Sequence, residues 1–576
     1  MASITPSEAM VETLRLEGVK HVPGIVGSAF MDALDLFPAA GIDFVPVRHE
    51  QTAGHMADAY ARITGAPAVC IGQNGPGVTN MVTSIAAAYH AHSPVVIVTP
   101  TASTASVGLD GFQEAEQLCI FRAITKYQIQ VPRPERMAES FRTAFRMALA
   151  RRGPVQVDIP RDFFYGETDE PIELPERSRG TSRAAPDEAS ILQAAQLLAD
   201  ARHPVVLAGM GVVESEAQRE VAELAEMLTA PVATTYLHND AFPASHHLAV
   251  GPIGYQGSKA AMQLLSEADV VLALGTRINV FGTVPQYGLD FWPSEAQIIQ
   301  VDVDATQLGR SKPIALGITG DAQLAARGLL DRLRERGGTE RDASRLEHIA
   351  RRREAWELEL EQASQETAAP ISPRRALRDL AEVLPDDAVV TTDIGNVCSV
   401  SNAYWRFERP RTFLAALGFG NCGFAYPAAL GAKLARPDQP VVAVIGDGAW
   451  GMSLHETMTA VEQELPVVAV VYNNGQWGAE KRNQIDFYDD RFVGTDIGAG
   501  LDGFDFAAIA TAMGADGRRV EDPADLTEAY RDALDSTQPT VLDVRIDPEE
   551  LAEPFRRDAL QAPVRLLDRY RSLSAR

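Results

Sequence analysis

The chain has 576 residues, 78 acidic against 52 basic, and a formal net charge of −26. That excess argues against nucleic acid or an anionic membrane surface as a partner, and any anionic substrate must meet a local cationic pocket. With 46% hydrophobic residues and Gly and Pro spread along its length, the chain has the composition of a soluble globular protein of about three to four domains. The four cysteines, Cys70, Cys119, Cys398 and Cys422, are far apart and form no CxxC. A disulfide framework or structural zinc is therefore not expected, and a reducing, cytoplasmic compartment is. The start "MASITPSEAMVETLRLEGVK" has no basic segment leading into an apolar one, so no secretory leader is expected. No apolar run approaches the length of a membrane span.

Short apolar strands alternate with amphipathic helices throughout, which predicts an α/β protein of three doubly wound parallel-sheet domains. In residues 1–166, strands are expected at 21–27, 44–48, 66–72, 95–100 and 154–160. The charged, Pro-rich stretch 167–189 reads as a linker. The pattern repeats in 190–336, with strands at 204–211, 231–235, 270–275 and 297–304. Residues 337–370 are densely charged and read as an exposed helical connector. A third domain, 371–548, has strands at 388–395, 441–448, 466–474 and 540–546, and 549–576 reads as a mixed-charge helical tail.

Chemistry concentrates in the first and third domains. "VVAVIGDG" puts Asp447 at the carboxyl end of a strand, where ligands bind in open parallel sheets. One crossover helix later "PVVAVVYNN" ends at Asn473 and Asn474, and a strand–helix–strand unit sets two such strand ends side by side. A carboxylate, an amide and a main-chain carbonyl suit Mg²⁺ with a diphosphate. Gly-Asp-Gly and Asn-Asn-Gly are equally ordinary turn sequences. In "VRHEQTAGHMADAYAR" Glu50 follows a strand and opens a helix, as a solvated helix-start charge or as a positioned acid. "GQNGPGVTN" (72–80) is a Gly-rich turn with N–H groups free for an anion or a close ligand.

Taken together, "HEQ…MADAYAR", "NGPGVTN", "DGFQE", "GNCGFAYPAALGAKLA" and "GDG" followed by "NN" resemble the thiamine-diphosphate enzymes of the acetolactate synthase and pyruvate oxidase group, in order over nearly the whole chain. The resemblance implies a pyrimidine-binding first domain, a middle Rossmann-like domain and a diphosphate-binding third domain. It implies thiamine diphosphate and Mg²⁺ as cofactors, with the metal held by Asp447, Asn474 and the main-chain carbonyl of Gln476. Gly75, Asn396, Gly420, Cys422, Gly446, Gly448, Ala449 and Trp477 would border the cofactor. Glu50 would protonate its aminopyrimidine ring, and Asn74 and Gln113 would approach its thiazolium. Because in this family the first domain of one subunit faces the third domain of another, a homo-oligomer, at least a dimer and up to a tetramer, is implied.

Within that group, stretches 24–42, 108–117, 418–427 and 473–494 resemble the branch that converts sulfoacetaldehyde and phosphate into acetyl phosphate and sulfite; the alternative is a carboligase acting on pyruvate. Ser28-Ala29 stands where acetolactate synthases usually carry Gly-Gly, and Cys422 where they usually carry Met. Both substrates of that branch are small anions, and Ser28, His49, His90, His92, Lys481 and Arg482 are the candidates to bind them. The middle domain has Gly209-x-Gly211 after a strand but Glu214 in place of a third glycine, so its nucleotide site is expected to be empty or vestigial. "YLHNDAFPASHH" (236–247) holds three histidines without metal-ligand spacing.

Overall fold

The computed structural model describes residues 4–168, 170–174, 182–337, 342–498, 503–553 and 560–573. Apolar runs that bury every residue form the middle of each sheet, as in AVCI (68–71) and VVIVTPT (95–101). Such runs need both faces covered, which is what a parallel sheet between two helical layers provides.

The first sheet holds β1 (His21–Gly24), β2 (Asp43–Pro46), β3 (Ala68–Ile71), β4 (Val95–Thr101), β5 (Tyr127–Gln130) and β6 (Val155–Pro160), in the order β2-β1-β3-β4-β6-β5. The second holds β7 (Pro204–Ala208), β8 (Val232–Thr235), β9 (Ala249–Ile253), β10 (Val270–Leu274), β11 (Gln297–Asp302) and β12 (Leu316–Thr319), in the order β12-β11-β10-β7-β8-β9. The third holds β13 (Val389–Thr392), β14 (Phe413–Ala415), β15 (Val441–Gly446), β16 (Val468–Asn473), β17 (Asp516–Val520) and β18 (Thr540–Arg545), in the order β14-β13-β15-β16-β18-β17. The ladders are parallel; β15 and β16 pair from Val442↔Val468 to Gly446↔Tyr472, which brings their carboxyl ends level.

The first and third sheets share one core. Helix Glu50–Thr64 is capped by Gly65 in the left-handed region (φ +68°) and buries Ala53, Gly54, Met56, Ala57, Ala61 and Ile63. It packs on helix Ala425–Ala435, whose Ala428, Ala429 and Ala432 belong to the same apolar cluster. Small residues allow the approach: a Cβ on Gly431 would lie 2.3 Å from the Met56 carbonyl oxygen.

Two expectations change. The charged connector does form a helix, Ala343–Ala363, but Ile349, Trp356 and Leu360 are buried along one stripe, so it is a packed element rather than an exposed strut. In the tail, helix is confined among the described residues to Asp568–Arg571. No helix among the described residues is long and apolar enough to cross a membrane.

Candidate active site

Two polar clusters lie on the first and third domains. In the first, Glu50 is the opening residue of its helix and 7% exposed, and its Oε2 accepts from Asn80 Nδ2 at 2.9 Å. A Cβ on Gly77 would lie 3.0 Å from its Oε1, so glycine there leaves that oxygen room. Beside it, Asn74 is buried, and its Nδ2 donates to the Gln113 carbonyl at 3.0 Å. Gln73 Nε2 donates to Asn74 Oδ1 (2.8 Å) and Gln113 Oε1 (2.9 Å), and lies 3.5 Å from Ser28 Oγ. Gln113 sits at φ +60°, a costly conformation for a non-glycine residue. Its carbonyl closes onto Gly75, where a Cβ would lie 2.5 Å away; only glycine fits.

The second cluster occupies the carboxyl ends of β13, β15 and β16. Asp447 is 3% exposed; Oδ1 accepts from the Gly448 N–H at 3.0 Å and Oδ2 from the Gly475 N–H at 2.7 Å. Burial pushes its carboxyl up to about 6 against those hydrogen bonds. Asn473, which ends β16, and Asn474, which follows it, divide their work. Asn473 turns inward, its Nδ2 donating to Asp543 Oδ1 at 2.8 Å, whereas Asn474 Nδ2 is 3.4 Å from where a Cβ on Gly478 would lie. Asn396 Nδ2 is 3.1 Å from the same point, and both its amide atoms are buried without a partner. Cβ atoms on Gly395 and Gly446, ending adjacent strand turns, would meet nothing within 4 Å. Open space beside glycine backbone, an orphaned amide and a buried carboxylate are a donor set whose chemistry suits a diphosphate with a hard cation. Trp477 closes one side: a Cβ on Gly448 would lie 2.8 Å from its ring. The Gln476 carbonyl accepts the Gly478 N–H at 3.0 Å, and Gln476 Nε2 donates to Pro548 O.

Three family models cover most of the chain: "Thiamine pyrophosphate enzyme, N-terminal TPP binding domain" over residues 4–120, "central domain" over 191–329 and "C-terminal TPP binding domain" over 393–544. The chain is 51% identical to a sulfoacetaldehyde acetyltransferase of Castellaniella defragrans, over 99% of this chain and 97% of that protein. The chain belongs to the thiamine pyrophosphate enzyme family. A sulfoacetaldehyde acetyltransferase of Alcaligenes xylosoxydans xylosoxydans is likewise 51% identical over 99% of this chain and 97% of its own length. A probable acetolactate synthase large subunit of Methanocaldococcus jannaschii is more distant, at 35% over 94% of this chain and 92% of its own.

Against that membership the remaining candidates fall in different places. Gly420 (φ +83°) donates its N–H to the Ala416 carbonyl at 2.8 Å, and Ala449 is buried. Burial raises the Cys422 thiol to about 12, so it packs as a neutral group. His49 caps the helix of Glu50, its Nδ1 accepting from the Gln51 N–H at 3.2 Å. His90 and His92 instead border a cavity of about 670 Å³ between the three domains, with Arg62, Lys126, Arg152 and Arg277. Burial first, then Arg277 and Lys126, lower both histidines, His92 to about 3, so neither serves as a cation. The same cavity takes in Gly275, Asp302 and Asp304 of the middle domain. Lys481 is paired with Asp496 at 2.9 Å and Arg482 with Asp486 at 3.1 Å. His246 and His247 meet Glu226 at 3.5 and 3.2 Å, a proximity their sequence spacing did not suggest.

Sequence reasoning missed Gln73, Asn80 and Gln117, all hydrogen-bonded to candidates. It missed Asp393, which accepts from the N–H groups of Gly423 (3.1 Å), Phe424 (2.8 Å) and Ala425 (2.8 Å) and so shapes the loop carrying Cys422. Asn80 and Gln73 lie inside the quoted glycine-rich turn, and a polar side chain flanking such a turn was the available signal.

Proposed function

We propose that this chain is a thiamine-diphosphate- and Mg²⁺-dependent acyltransferase that converts sulfoacetaldehyde and phosphate into acetyl phosphate and sulfite, in the cytoplasm, as a homo-oligomer. The observation that carries the substrate class is full-length similarity, at 51% identity, to proteins of that name, against 35% for an acetolactate synthase relative. The reading assigns 1–166 to the pyrimidine-binding domain, 190–336 to the middle domain and 371–548 to the diphosphate-binding domain, with 167–189 and 337–370 as linkers.

In this reading Asp447, Asn474 and the Gln476 carbonyl hold Mg²⁺, while Asn396, Gly446, Gly448, Ala449 and Trp477 line the diphosphate cradle. Support for this comes from the orphaned Asn396 amide and the open space at Gly446. Gly75, Gly420 and Cys422 flank the rings. When bound, the cofactor supplies a nucleophilic carbon and accepts the electron pair that lets sulfite depart. Glu50 moves a proton through its carboxyl: Asn80 fixes Oε2, and Oε1 is the oxygen that Gly77 leaves accessible. Asn74 and Gln113, locked to each other, orient the reacting end of the substrate. Ser28 and His49 border the Glu50 side of the space. Lys481 and Arg482 meet an anionic substrate as members of ion pairs with Asp496 and Asp486, so sulfonate or phosphate competes with those carboxylates.

The test is one assay of purified protein with thiamine diphosphate, Mg²⁺, phosphate and sulfoacetaldehyde, with pyruvate as a competing donor. Sulfite and acetyl phosphate released in equal amounts are expected. Acetolactate from pyruvate, with no sulfite, would overturn the substrate assignment and leave the cofactor in place.

A further inference from the structure

Past Asp447 the third domain makes a short turn, Leu454–Glu456, and Glu456 at its end is fully buried. Its carboxylate leaves its own domain. Oε1 accepts from the main-chain N–H of Arg48 at 3.1 Å and of His49 at 3.0 Å; Oε2 accepts from the Arg48 N–H at 3.2 Å and from the Thr459 hydroxyl at 2.6 Å. His455 Nε2 lies 3.4 Å from Oε1, and the His455 ring centre is 6.4 Å from that of His49. Burial alone would push this carboxyl up. The neighbouring side chains of His455, Thr459 and Thr52 and the Arg48 N–H outweigh it and hold the group below the usual carboxylate range, so it is charged.

The two N–H groups it takes belong to the residues immediately before Glu50, at the entry to the helix that Glu50 opens. N–H groups at a helix start have no partner inside the helix, and the helix dipole favours an anion there. A buried charge is tolerated only when its hydrogen bonds are complete, and completing these fixes the main chain at 48 and 49. The backbone leading into Glu50 is thus held from the opposite domain, by the segment that follows the Asp447 turn, and not by its own sheet alone.

We propose that Glu456 is a positioning residue for Glu50: it fixes the Arg48–His49 main chain and thereby the point at which the Glu50 carboxyl exchanges its proton. This rests on the role given to Glu50 above. A tie serving only to join two domains would affect stability and cofactor binding without a separate effect on proton transfer, and that difference is measurable.

The variants are Glu456→Ala and Glu456→Gln, with Glu50→Gln as a control, each loaded with thiamine diphosphate and Mg²⁺. Three quantities are read: the rate at which the bound cofactor's thiazolium C2 proton exchanges into deuterium oxide, cofactor affinity by calorimetry, and amide hydrogen exchange over residues 47–52 in cofactor-free protein. In Glu456→Ala the C2 exchange is expected to slow by about tenfold to a hundredfold, the cost of a small misplacement of a reacting group. Cofactor affinity should stay within about twofold, because a side chain outside the cradle adds no differential binding energy. The 47–52 amides should exchange faster even without cofactor. Glu456→Gln keeps an oxygen able to accept both N–H groups and should restore most of the exchange rate. If Glu456→Ala does not fold, Glu456→Asp, which withdraws the carboxylate by one methylene, should show the same slowed exchange. Wild-type C2 exchange in a variant whose 47–52 amides have loosened would overturn the proposal, as would slowing matched by loss of cofactor affinity. Wild-type exchange in Glu50→Gln would instead sink the role of Glu50 itself.

Discussion

Gly448 shows how much a single hydrogen atom does at this site. Its neighbour Asp447 is buried and bonded to the main chain on both sides, and the ring of Trp477 lies where a Gly448 side chain would be. A methyl group at 448 must displace that ring and, with it, the turn that carries Asn474 and Gln476. Gly448→Ala is therefore expected to weaken binding of thiamine diphosphate with Mg²⁺ by about tenfold, the effect of roughly 1.4 kcal/mol. Calorimetric titration would show it; unchanged affinity would mean Trp477 moves freely. The Gly-Asp-Gly and Asn-Asn turns were legible from sequence because they end unmistakable buried strands. Glu456 was not: it sits in "SLHETMT", which reads as an ordinary polar helix start, and its burial comes from residues about 408 positions away. No local pattern encodes such a contact. Likewise His90 and His92 looked like cations beside the matched motifs, and it is their burial first, then the packing of Arg277 and Lys126 around them, that favours the neutral form.

Helix Glu50–Thr64 is the element on which the arrangement turns. Gly431 meets the Met56 carbonyl, an atom of the helix backbone that cannot rotate away. Gly431→Ala should push the two helices apart and cost about 1–3 kcal/mol, the usual range for overpacking. A lower thermal midpoint, together with faster amide exchange in 50–64, would report it. His55 on the same helix is fully buried against Phe424, ring centres 5.2 Å apart, with Asn421 Nδ2 3.2 Å from its Nε2. Burial lowers its pKa to about 3, from 6.5. Below 6.5 the unfolded chain takes up a proton that the folded one refuses. The stability contributed by neutral His55 is thus complete above 6.5 and lost as pH falls towards 3, by about 1.4 kcal/mol per pH unit. His55→Gln should flatten the fall of the melting temperature between pH 6.5 and 5 by one proton's share, while His92 and other buried histidines keep the remainder. Equal slopes in the two proteins would contradict this. At this scale the sequence was most legible where strands are central. β5, β9, β12, β14 and β17 went unread, and each lies at the edge of its sheet. An edge strand pairs on one side and buries only part of its surface. DGRRV (516–520) is buried at Val520 alone, AVGPI (249–253) carries Gly and Pro, and FLA (413–415) is three residues long. None offers the continuous apolar run that marked β4 or β15.

For the whole molecule, the question is which chain completes which site. Glu50 with its partners and Asp447 with its cradle share no hydrogen bond among the described residues. Around the first cluster Val107, Leu109 and Phe112 are exposed, Phe112 by 81%; around the second, Met452 is exposed too. Apolar groups left open beside two incomplete polar clusters are what an interface between copies requires. A two-fold axis laying the Glu50 face of one chain on the Asp447 face of another would complete two sites at once and cover both rims. The alternative, one chain closing its own site, makes a different prediction when two dead variants are mixed. Glu50→Gln and Asp447→Asn should each be inactive alone. If sites form between chains, a mixed dimer holds one site in which both residues are damaged and one in which both are intact. Random re-association of equal amounts makes half the dimers mixed, so about a quarter of wild-type activity should return. If each chain closes its own site, every site in the mixture carries one damaged residue and none should return. Dissociation, mixing and reassembly, followed by the sulfite assay and by sedimentation to confirm the dimer, separates the two outcomes. A quarter of the activity would place the catalytic centre between subunits; none, in reassembled dimers, would return both halves to a single chain.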